Sequence, residues 1–175
     1  MLFRSKYGQF LFRLAYHFKP NTILELGTSL GITTSYLAFA NQNSKVITIE
    51  GCTNISSEAK NCFQSLGLNN IETVVGNFDS VLSSRLKTQD SRFDFVFFDG
   101  NHKKKPTLNY FNQCLSHATN DSVFIFDDIH WSDEMEEAWE EIKSHPKVIV
   151  TIDLFFLGLV FFRKEQAKEN FVLRF

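Results

Sequence analysis

Two acidic residues on either side of a small-residue turn are the first groups in this sequence that could do chemistry. Thr22–Leu26 reads as a short apolar strand that carries Glu25, and it leads into the turn Gly27–Gly31. A second apolar strand ends in Glu50. A glycine turn that opens a helix lets backbone N–H groups approach a ligand, and a carboxylate at the next strand tip accepts hydrogen bonds from ribose hydroxyls. This spacing predicts a binding site for a nucleoside cofactor.

Each of the two glutamates also has a second interpretation. Glu50 on its own is equally well explained as a solvated charge at the end of a strand, and only the upstream turn favours cofactor binding. Glu25 lies in an otherwise apolar strand, where a carboxylate without partners is costly to bury. Its partners would be the ammonium group of a cofactor or backbone donors.

A second set of carboxylates follows two later apolar runs. Asp99 follows Phe93–Phe98, while Asp127 and Asp128 follow Ser122–Phe126. Two like charges about 4 Å apart repel by roughly 4 kcal/mol at an effective dielectric constant of about 20. A hard divalent cation such as Mg²⁺, which prefers oxygen ligands, removes that repulsion. The three residues are therefore a predicted metal site, provided that the chain turns at Asp127 so that both neighbours face one ion. The alternative is that each aspartate caps the following helix.

Histidine supplies the candidate base. His102 lies three residues after Asp99, and its ordinary pKa near 6.5 suits the removal of a proton from a hydroxyl group. A histidine in a surface loop is the alternative interpretation. The following lysines, 103–105, are either a solvated loop or an attraction for an anionic substrate, and His130 is a weaker second candidate for a base or ligand.

The turn Gly27–Gly31 also satisfies the spacing G-x-S-x-G, in which Ser29 would be the nucleophile of an α/β-hydrolase. Such an enzyme has strands ahead of the nucleophile, whereas only one predicted helix precedes this turn. A nicotinamide site is also disfavoured, because Ser29 stands where the second glycine of G-x-G-x-x-G belongs. The serine hydrolase remains a remote alternative.

Composition limits the other possibilities. A chain of 175 residues with 43% hydrophobic and 22% charged residues predicts one globular domain, 1–175, which includes an N-terminal helix over 1–19 that Pro20 ends. The net charge of −2 gives no basic excess for nucleic acid. No apolar run has the length of a signal peptide or a membrane span, so we expect no membrane partner.

The three cysteines indicate the compartment. Cys52, Cys62 and Cys114 have neither metal-type nor disulfide-type spacing, and their odd number suits a reducing environment. We therefore expect a cytoplasmic protein. The apolar stripe of the N-terminal helix is compatible with plain core packing, with a cover over the cofactor cleft, or with a homodimer contact.

Apolar runs alternate with amphipathic segments along the whole chain, which predicts an α/β fold with a mainly parallel sheet. The last two runs are separated by a short turn near Gly158 and predict an antiparallel pair. The predicted strands are 22–26, 45–50, 71–75, 93–98, 122–126, 147–154 and 157–163, and the predicted helices after the first are 31–41, 54–66, 78–88, 105–117 and 133–143.

From about residue 8 onwards the chain resembles the class I methyltransferases that depend on S-adenosylmethionine (SAM). Within them it resembles the small O-methyltransferases of the catechol and caffeoyl-CoA type and their bacterial relatives. The resemblance rests on the segment from Glu25 to Thr33, where Ser29 replaces a glycine that the narrower group also lacks. It implies a Rossmann-like, seven-stranded, mainly parallel sheet with helices on both faces and an antiparallel last strand.

The resemblance also implies roles for particular residues. The methyl acceptor would be a hydroxyl of a small molecule, with or without a divalent metal, and His102 stands where catechol-type enzymes have a lysine base. The alternative is a SAM-binding module, or the partner of another subunit, without catalysis. The implied cofactor residues are Glu25, Gly27, Thr28, Ser29, Gly31 and Thr33 for the methionine part, Glu50 for the ribose, Gly76, Asn77 and Phe78 around adenine, and Asp99 beside the cofactor, while Asp99, Asp127 and Asp128 are the implied metal ligands.

Overall fold

The apolar runs of the sequence form strands and the amphipathic segments form helices in a computed structural model that describes residues 5–86 and 92–174. The chain divides into two compact units, the first ending at Val81 and the second beginning at Leu82. Parts of two predicted helices, 1–4 and 87–88, lie outside the described residues.

The first unit has a parallel arrangement of strands in the order β3-β2-β1, with helices between them in sequence. Each connection between parallel strands needs a crossover, and a helix provides it. Its elements are α1 (Ser5–Phe18), β1 (Thr22–Leu26), α2 (Ile32–Ala40), β2 (Lys45–Glu50), α3 (Thr53–Ser65), β3 (Ile71–Val75) and the start of α4 (Phe78–Arg85).

Helix α1 is amphipathic, as its three- and four-residue apolar spacing predicts. Leu11 and Ala15 are fully buried, whereas Tyr16 is 62% exposed. The helix ends just before Pro20, which cannot continue it. None of the helices in the described residues is long and apolar enough to cross a membrane.

The second unit is built around strands in the order β4-β5-β7-β6-β8. Strands β4 and β5 are parallel, β7 runs antiparallel to both β5 and β6, and β8 is parallel to β6. Its elements after α4 are β4 (Phe95–Phe98), α5 (Lys104–Leu115), β5 (Val123–Asp127), α6 (Asp133–Ser144), β6 (Val150–Asp153), β7 (Leu157–Phe161) and β8 (Glu169–Val172).

Phenylalanine fills the core of the second unit. The rings of Phe98 and Phe126 stack with their centroids 4.3 Å apart, and Phe111 meets Phe126 edge to face at 6.0 Å. Trp139 of α6 is 1% exposed and lies against Gly158 of β7. A Cβ atom on Gly158 would lie 2.7 Å from the indole, so only glycine fits at this point of the strand. The many phenylalanines therefore serve packing in this unit.

The predicted α/β class and the antiparallel pair near Gly158 are confirmed. Eight strands are described where seven were expected, because β8 was not predicted. All four residues of β8 are exposed, so no alternation of buried and exposed side chains marks it in the sequence. The strand predicted from Phe93 begins at Phe95.

Candidate functional site

Most N–H groups of the turn after β1 donate within the protein, and its backbone adopts conformations that favour glycine. Gly27, Ser29 and Gly31 all have positive φ, at 111°, 48° and 76°. At Gly31 a side chain is excluded twice, because the left-handed backbone disfavours it and because a Cβ atom would lie 2.4 Å from the ring of Phe63. Ser29 adopts the same region without being glycine, which costs about 1 kcal/mol or more and is typical of functional turns.

The Glu50 carboxylate lies directly against this turn. Its Oε2 accepts a hydrogen bond from the Ser29 N–H at 2.9 Å, and its Oε1 accepts one from the Cys52 N–H at 2.9 Å. Glu50 is therefore tied to the turn and is more than a free charge at the end of a strand. The N–H of Gly76 donates to the Glu50 carbonyl at 2.9 Å, so the segment after β3 also lies next to β2.

The segment after β3 begins α4. Gly76 has φ 157°, and a Cβ atom there would lie 2.7 Å from the side chain of Val81. The side chain of Asn77 accepts a hydrogen bond from the Asp79 N–H at 2.8 Å, and Phe78 is the first residue of α4. The predicted adenine segment thus lies within the same unit as the turn and Glu50.

Glu25 is the most deeply buried charged group of the first unit. Its side chain is fully inaccessible, and its Oε2 accepts hydrogen bonds from the hydroxyls of Thr34 (2.5 Å) and Thr48 (2.6 Å). Its Oε1 has no hydrogen-bond partner among the residues that the structure describes. Burial raises the pKa of Glu25 to about 7, against the lowering effect of the two hydroxyls. A buried carboxyl with one unpaired oxygen is the expected complement of a ligand that brings a donor.

The sequence analysis missed the two hydroxyl partners of Glu25, Thr34 and Thr48, and it names Thr33 only for the methionine part of the implied cofactor. Thr48 lies directly opposite Glu25 in the parallel register of β1 and β2. Its hydroxyl also contacts the Thr28 hydroxyl at 2.6 Å, which ties the turn to β2. The place of Thr48 in its strand could have identified it, because Thr48 is the fourth residue of β2 just as Glu25 is the fourth residue of β1. Thr33 is 8% exposed on the first turn of α2.

The second unit brings together the predicted aspartates. Asp99 follows the last residue of β4, Asp127 ends β5, and the register pairs Phe98 with Phe126, so the two carboxyl-bearing ends are level. Burial raises the pKa of Asp127, and the charges of Asp99 and Asp128 and a hydrogen bond with the Asp99 carboxyl raise it further. The positive φ, 55°, falls at Asp128, one residue after the position at which the sequence argument required a turn.

His102 lies between two of these carboxylates. Its Nε2 is 3.7 Å from the Asp99 Oδ1, and its Nδ1 is 4.0 Å from the Asp128 Oδ2. Its side chain is 31% exposed, so it is not a freely solvated loop residue. Burial lowers the pKa of His102, against the opposing effect of Asp128. The ring is therefore neutral near pH 7 and able to accept a proton.

The capping alternative for the aspartates is wrong. The N-cap residue of α5 is Lys103, and that of α6 is Ser132, whose hydroxyl accepts a hydrogen bond from the Met135 N–H at 3.3 Å. Neither Asp99 nor the pair after β5 occupies a cap position. The three carboxylates therefore have no role in starting the helices that follow them.

The metal prediction is not tested by this arrangement. Across residues 5–86 and 92–174, no group of three or more His, Cys, Asp or Glu side chains has the arrangement of a metal site. The donor chemistry of the aspartates suits a hard cation, but their present geometry does not form a ligand set. We therefore derive no chemical step through a metal ion.

His130 is held by hydrogen bonds at both ring nitrogens. Its Nε2 lies 2.8 Å from the Asp153 Oδ2, and its Nδ1 lies 3.1 Å from the Glu136 Oε1. Burial alone would lower the pKa of His130, but these two hydrogen bonds raise it above the ordinary value. Asp153 also accepts hydrogen bonds from the Trp139 Nε1 (3.2 Å) and the Phe155 N–H (2.8 Å). Both ring nitrogens of His130 are thus used within the unit, and Asp153, which the sequence analysis missed, is the nearer of its two partners.

The lysines after His102 are partly used within the unit. Lys104 forms ion pairs with Glu137 (3.0 Å) and Glu141 (3.6 Å) of α6. These acidic residues form the solvated face of α6 that the sequence predicts, with Trp139 buried on the other face. Lys104 is therefore an α5–α6 contact and not an anion site.

A sequence model described as a methyltransferase domain matches residues 24–129. No curated protein matches the sequence closely enough to count as a relative. Among solved structures, the O-methyltransferase from Bacillus cereus in complex with S-adenosylhomocysteine (SAH) is 22% identical, with a TM-score of 0.78 over 91% of this chain and 82% of that chain.

Two further structures give the same result. The O-methyltransferase TomG from Streptomyces achromogenes, involved in tomaymycin synthesis and complexed with SAM, is 21% identical, with a TM-score of 0.80 over 91% of this chain and 81% of that chain. The SAH-bound methyltransferase PaMTH1 from Podospora anserina is 13% identical, with a TM-score of 0.79 over 92% of this chain and 80% of that chain. At such low identity, the likeness establishes the fold.

Proposed function

The chain belongs to the methyltransferase domain family that matches residues 24–129, and we propose that it transfers a methyl group from SAM to a hydroxyl group of a small molecule. The observation that carries the proposal is the contact of the Glu50 carboxylate with the Ser29 N–H of the glycine turn. This contact joins the two predicted halves of a nucleoside site. Structural neighbours crystallised with SAM or SAH are in keeping with this cofactor.

The fit of the first unit to SAM rests on its own atoms. The unpaired Oε1 of the buried Glu25 suits an ammonium group, and the Glu50 carboxylate has lone pairs left for ribose hydroxyls. The proposed binding residues are Glu25, Gly27, Thr28, Ser29, Gly31 and Thr33 for the methionine part, Glu50 for the ribose, Gly76, Asn77 and Phe78 for the adenine, and Asp99 beside the cofactor.

SAM, when bound, supplies a methyl group that its positively charged sulfur makes reactive toward nucleophiles. His102 is the proposed base for the acceptor hydroxyl, because its lowered pKa leaves the ring neutral. When His102 takes up the proton, the carboxylates of Asp99 and Asp128, at 3.7 and 4.0 Å, stabilise the imidazolium.

The test is a methyl-transfer assay that detects SAH and methylated product by mass spectrometry. Catechol and 3,4-dihydroxybenzoate are the first acceptors, each tested with Mg²⁺ and with EDTA. We expect product from the wild type and about 100-fold less from His102→Gln, which is the usual loss for a missing general base. His17→Gln, an exposed histidine of α1, is the control and should be unaffected.

The other possible results of the methyl-transfer assay decide between the remaining alternatives. Loss of activity in EDTA that Mg²⁺ restores would support the predicted metal ligands Asp99, Asp127 and Asp128. SAH binding without methylated product from any hydroxylated acceptor would favour the non-catalytic SAM-binding module or partner subunit. The family match leaves no support for the serine hydrolase. The single domain, the homodimer and the cytoplasmic location remain predictions, and size-exclusion chromatography with light scattering tests the homodimer.

A further inference from the structure

Strand β8 has a neighbouring strand on one side only, within the residues that the structure describes. The strand order of the second unit is β4-β5-β7-β6-β8, and β8 pairs with β6. The N–H groups of Glu169 and Leu173 donate to carbonyls of β6 and of the residue before it, at 3.0 and 2.8 Å. Successive residues of a strand direct these groups to opposite edges, so the main-chain groups of Asn170, Val172 and Arg174 point away from β6. We call this outward row of N–H and C=O groups the β8 edge.

The side chains beside the β8 edge are apolar and exposed. Phe171 is 43% exposed, Val172 is 79% exposed and Leu173 is 51% exposed. Ile152 of β6, which is level with Phe171 in the register, is also only partly buried, so the apolar surface continues from β8 onto β6. A single exposed apolar residue needs no explanation, whereas a run of three in one strand does.

The β8 edge also lacks the features that keep sheet edges apart. Natural proteins protect such edges with lysine, proline or a bulge. No lysine or proline occurs between Glu169 and Leu173, and the four residues of β8 pair with β6 in an unbroken register. A regular apolar edge of this kind is suited to pairing with a further strand.

The β8 edge is complementary to a second copy of itself. Two copies that pair antiparallel are related by a twofold axis normal to the sheet, so each side chain stays on its own face and the register is symmetric about one residue. With Val172 on the axis, Asn170 of one copy lies opposite Arg174 of the other. Each opposed pair then exchanges both of its N–H···O bonds, and the whole β8 edge of both copies is used.

The side chains favour the same register. With Val172 on the axis, Phe171 of one copy lies opposite Leu173 of the other, and aromatic–aliphatic pairs of this kind stabilise neighbouring strands. With Phe171 on the axis, Lys168 would lie opposite Arg174, and like charges directly opposite each other are destabilising. This symmetric fit points to a second copy of the chain as the partner of the edge.

We propose that two copies of this chain associate through the β8 edge, antiparallel and with Val172 on the twofold axis. The pairing joins two sheets into one and reduces the exposure of the apolar run from Phe171 to Leu173 in both copies. A strand pair of this length is smaller than a standard interface of about 1,600 Å², so we expect a reversible dimer with a Kd of about 1–100 µM. The inference goes beyond the proposed function and does not depend on it.

Charges at position 172 test the pairing, because the axis brings the two copies of this residue together. Sedimentation velocity of the wild type from about 1 to 300 µM should show a concentration-dependent dimer. Val172→Lys and Val172→Glu each place like charges opposite each other and should raise the Kd at least about tenfold. An equimolar mixture of the two variants places opposite charges there and should restore a dimer about as tight as that of the wild type.

Ile55→Lys is the matched control, since Ile55 is an exposed aliphatic residue on α3, outside β8. It should leave the Kd unchanged. Recovery of the dimer by the mixture also shows that both Val172 variants are folded. A wild type that stays monomeric at about 300 µM, or a dimer that neither Val172 variant weakens, would overturn the proposal. Monomeric variants whose mixture forms no dimer would overturn the symmetric register and the proposal with it.

Amide hydrogen exchange measured by NMR tests the proposal without any variant. The N–H groups of Asn170 and Val172 should exchange more slowly at about 500 µM than at about 20 µM protein, because the dimer protects them. The N–H groups of Glu169 and Leu173 are already bonded within the unit and should exchange alike at both concentrations. Exchange at Asn170 and Val172 that does not depend on concentration would overturn the proposal.

Discussion

Replacement of Asp153 by alanine tests the energetics of the second unit, because one buried carboxylate there joins three segments. Asp153 is 7% exposed and accepts hydrogen bonds from His130 before α6, Trp139 on α6 and Phe155 after β6. Alanine removes the acceptor for all three donors. It also leaves Glu136 as the one hydrogen-bond partner that the His130 ring keeps among the described residues.

The magnitude can be worked out bond by bond. A typical hydrogen bond contributes about 1 kcal/mol net, and a bond that involves charged groups contributes about 1.5–3 kcal/mol. The bond between His130 and the carboxylate is counted at about 2 kcal/mol, and the bonds from the neutral donors of Trp139 and Phe155 are counted at the lower value of about 1 kcal/mol each. We expect Asp153→Ala to lower the free energy of unfolding by about 4 kcal/mol.

The assay is urea denaturation followed by circular dichroism at pH 6 and pH 9. The folded pKa of His130 is raised, so its contribution is complete below the unfolded pKa and is lost as the pH rises through the folded value. The difference between wild type and Asp153→Ala should therefore be smaller at pH 9. The control Asp121→Ala removes an exposed ion pair with Arg163 and should cost less than about 1 kcal/mol. A loss of under about 1 kcal/mol for Asp153→Ala at pH 6 would refute this reasoning.

Three other predictions concern the candidate site. Gly31→Ala should lower the free energy of unfolding, measured by urea denaturation, by about 2 kcal/mol or more. The reason is that alanine is strained at a φ of 76° and that its Cβ atom would collide with the ring of Phe63. A variant as stable as the wild type would contradict this. For Glu25, the folded pKa of about 7 exceeds the ordinary value of 4.5, so the stability of the wild type relative to Glu25→Gln should fall by about 2.5 kcal/mol between pH 5 and pH 8, and a constant difference would be contrary to expectation. Asp99→Asn removes a neighbouring charge, so the pKa of Asp127 measured by carboxyl ¹³C NMR should fall, whereas no change would mean that the two groups are not coupled.

The cofactor turn could be predicted from sequence because its signals are local. Glycine spacing, an apolar strand and an acidic strand end are all visible in the residues from Glu25 to Gly31 and again at Glu50. The bounds predicted for β1, β2 and β3 match the structure, since each is a compact apolar run between turn residues. These signals lie within short segments, so they do not depend on how distant parts of the chain pack.

The features that were missed depend on how distant segments meet. Thr48 becomes a partner of Glu25 only through the register of β1 and β2. Asp153 acquires its role only when α6 and the turn after β6 pack against it. The positive φ of Asp128 likewise cannot be read from an aspartate in sequence, and the argument about opposite strand faces placed the turn one residue earlier, at Asp127. Strand β8 was missed because none of its residues is buried.

Calorimetric titration of SAH at pH 8 tests the central claim of a SAM-dependent methyltransferase most directly. The proteins are the wild type, Glu50→Ala, and the control Glu72→Ala, which removes a β3 carboxylate paired with Lys45. The account predicts that the wild type and Glu72→Ala bind SAH alike, and that Glu50→Ala binds at least about tenfold more weakly. No binding to the wild type, or equal binding by Glu50→Ala, would contradict it.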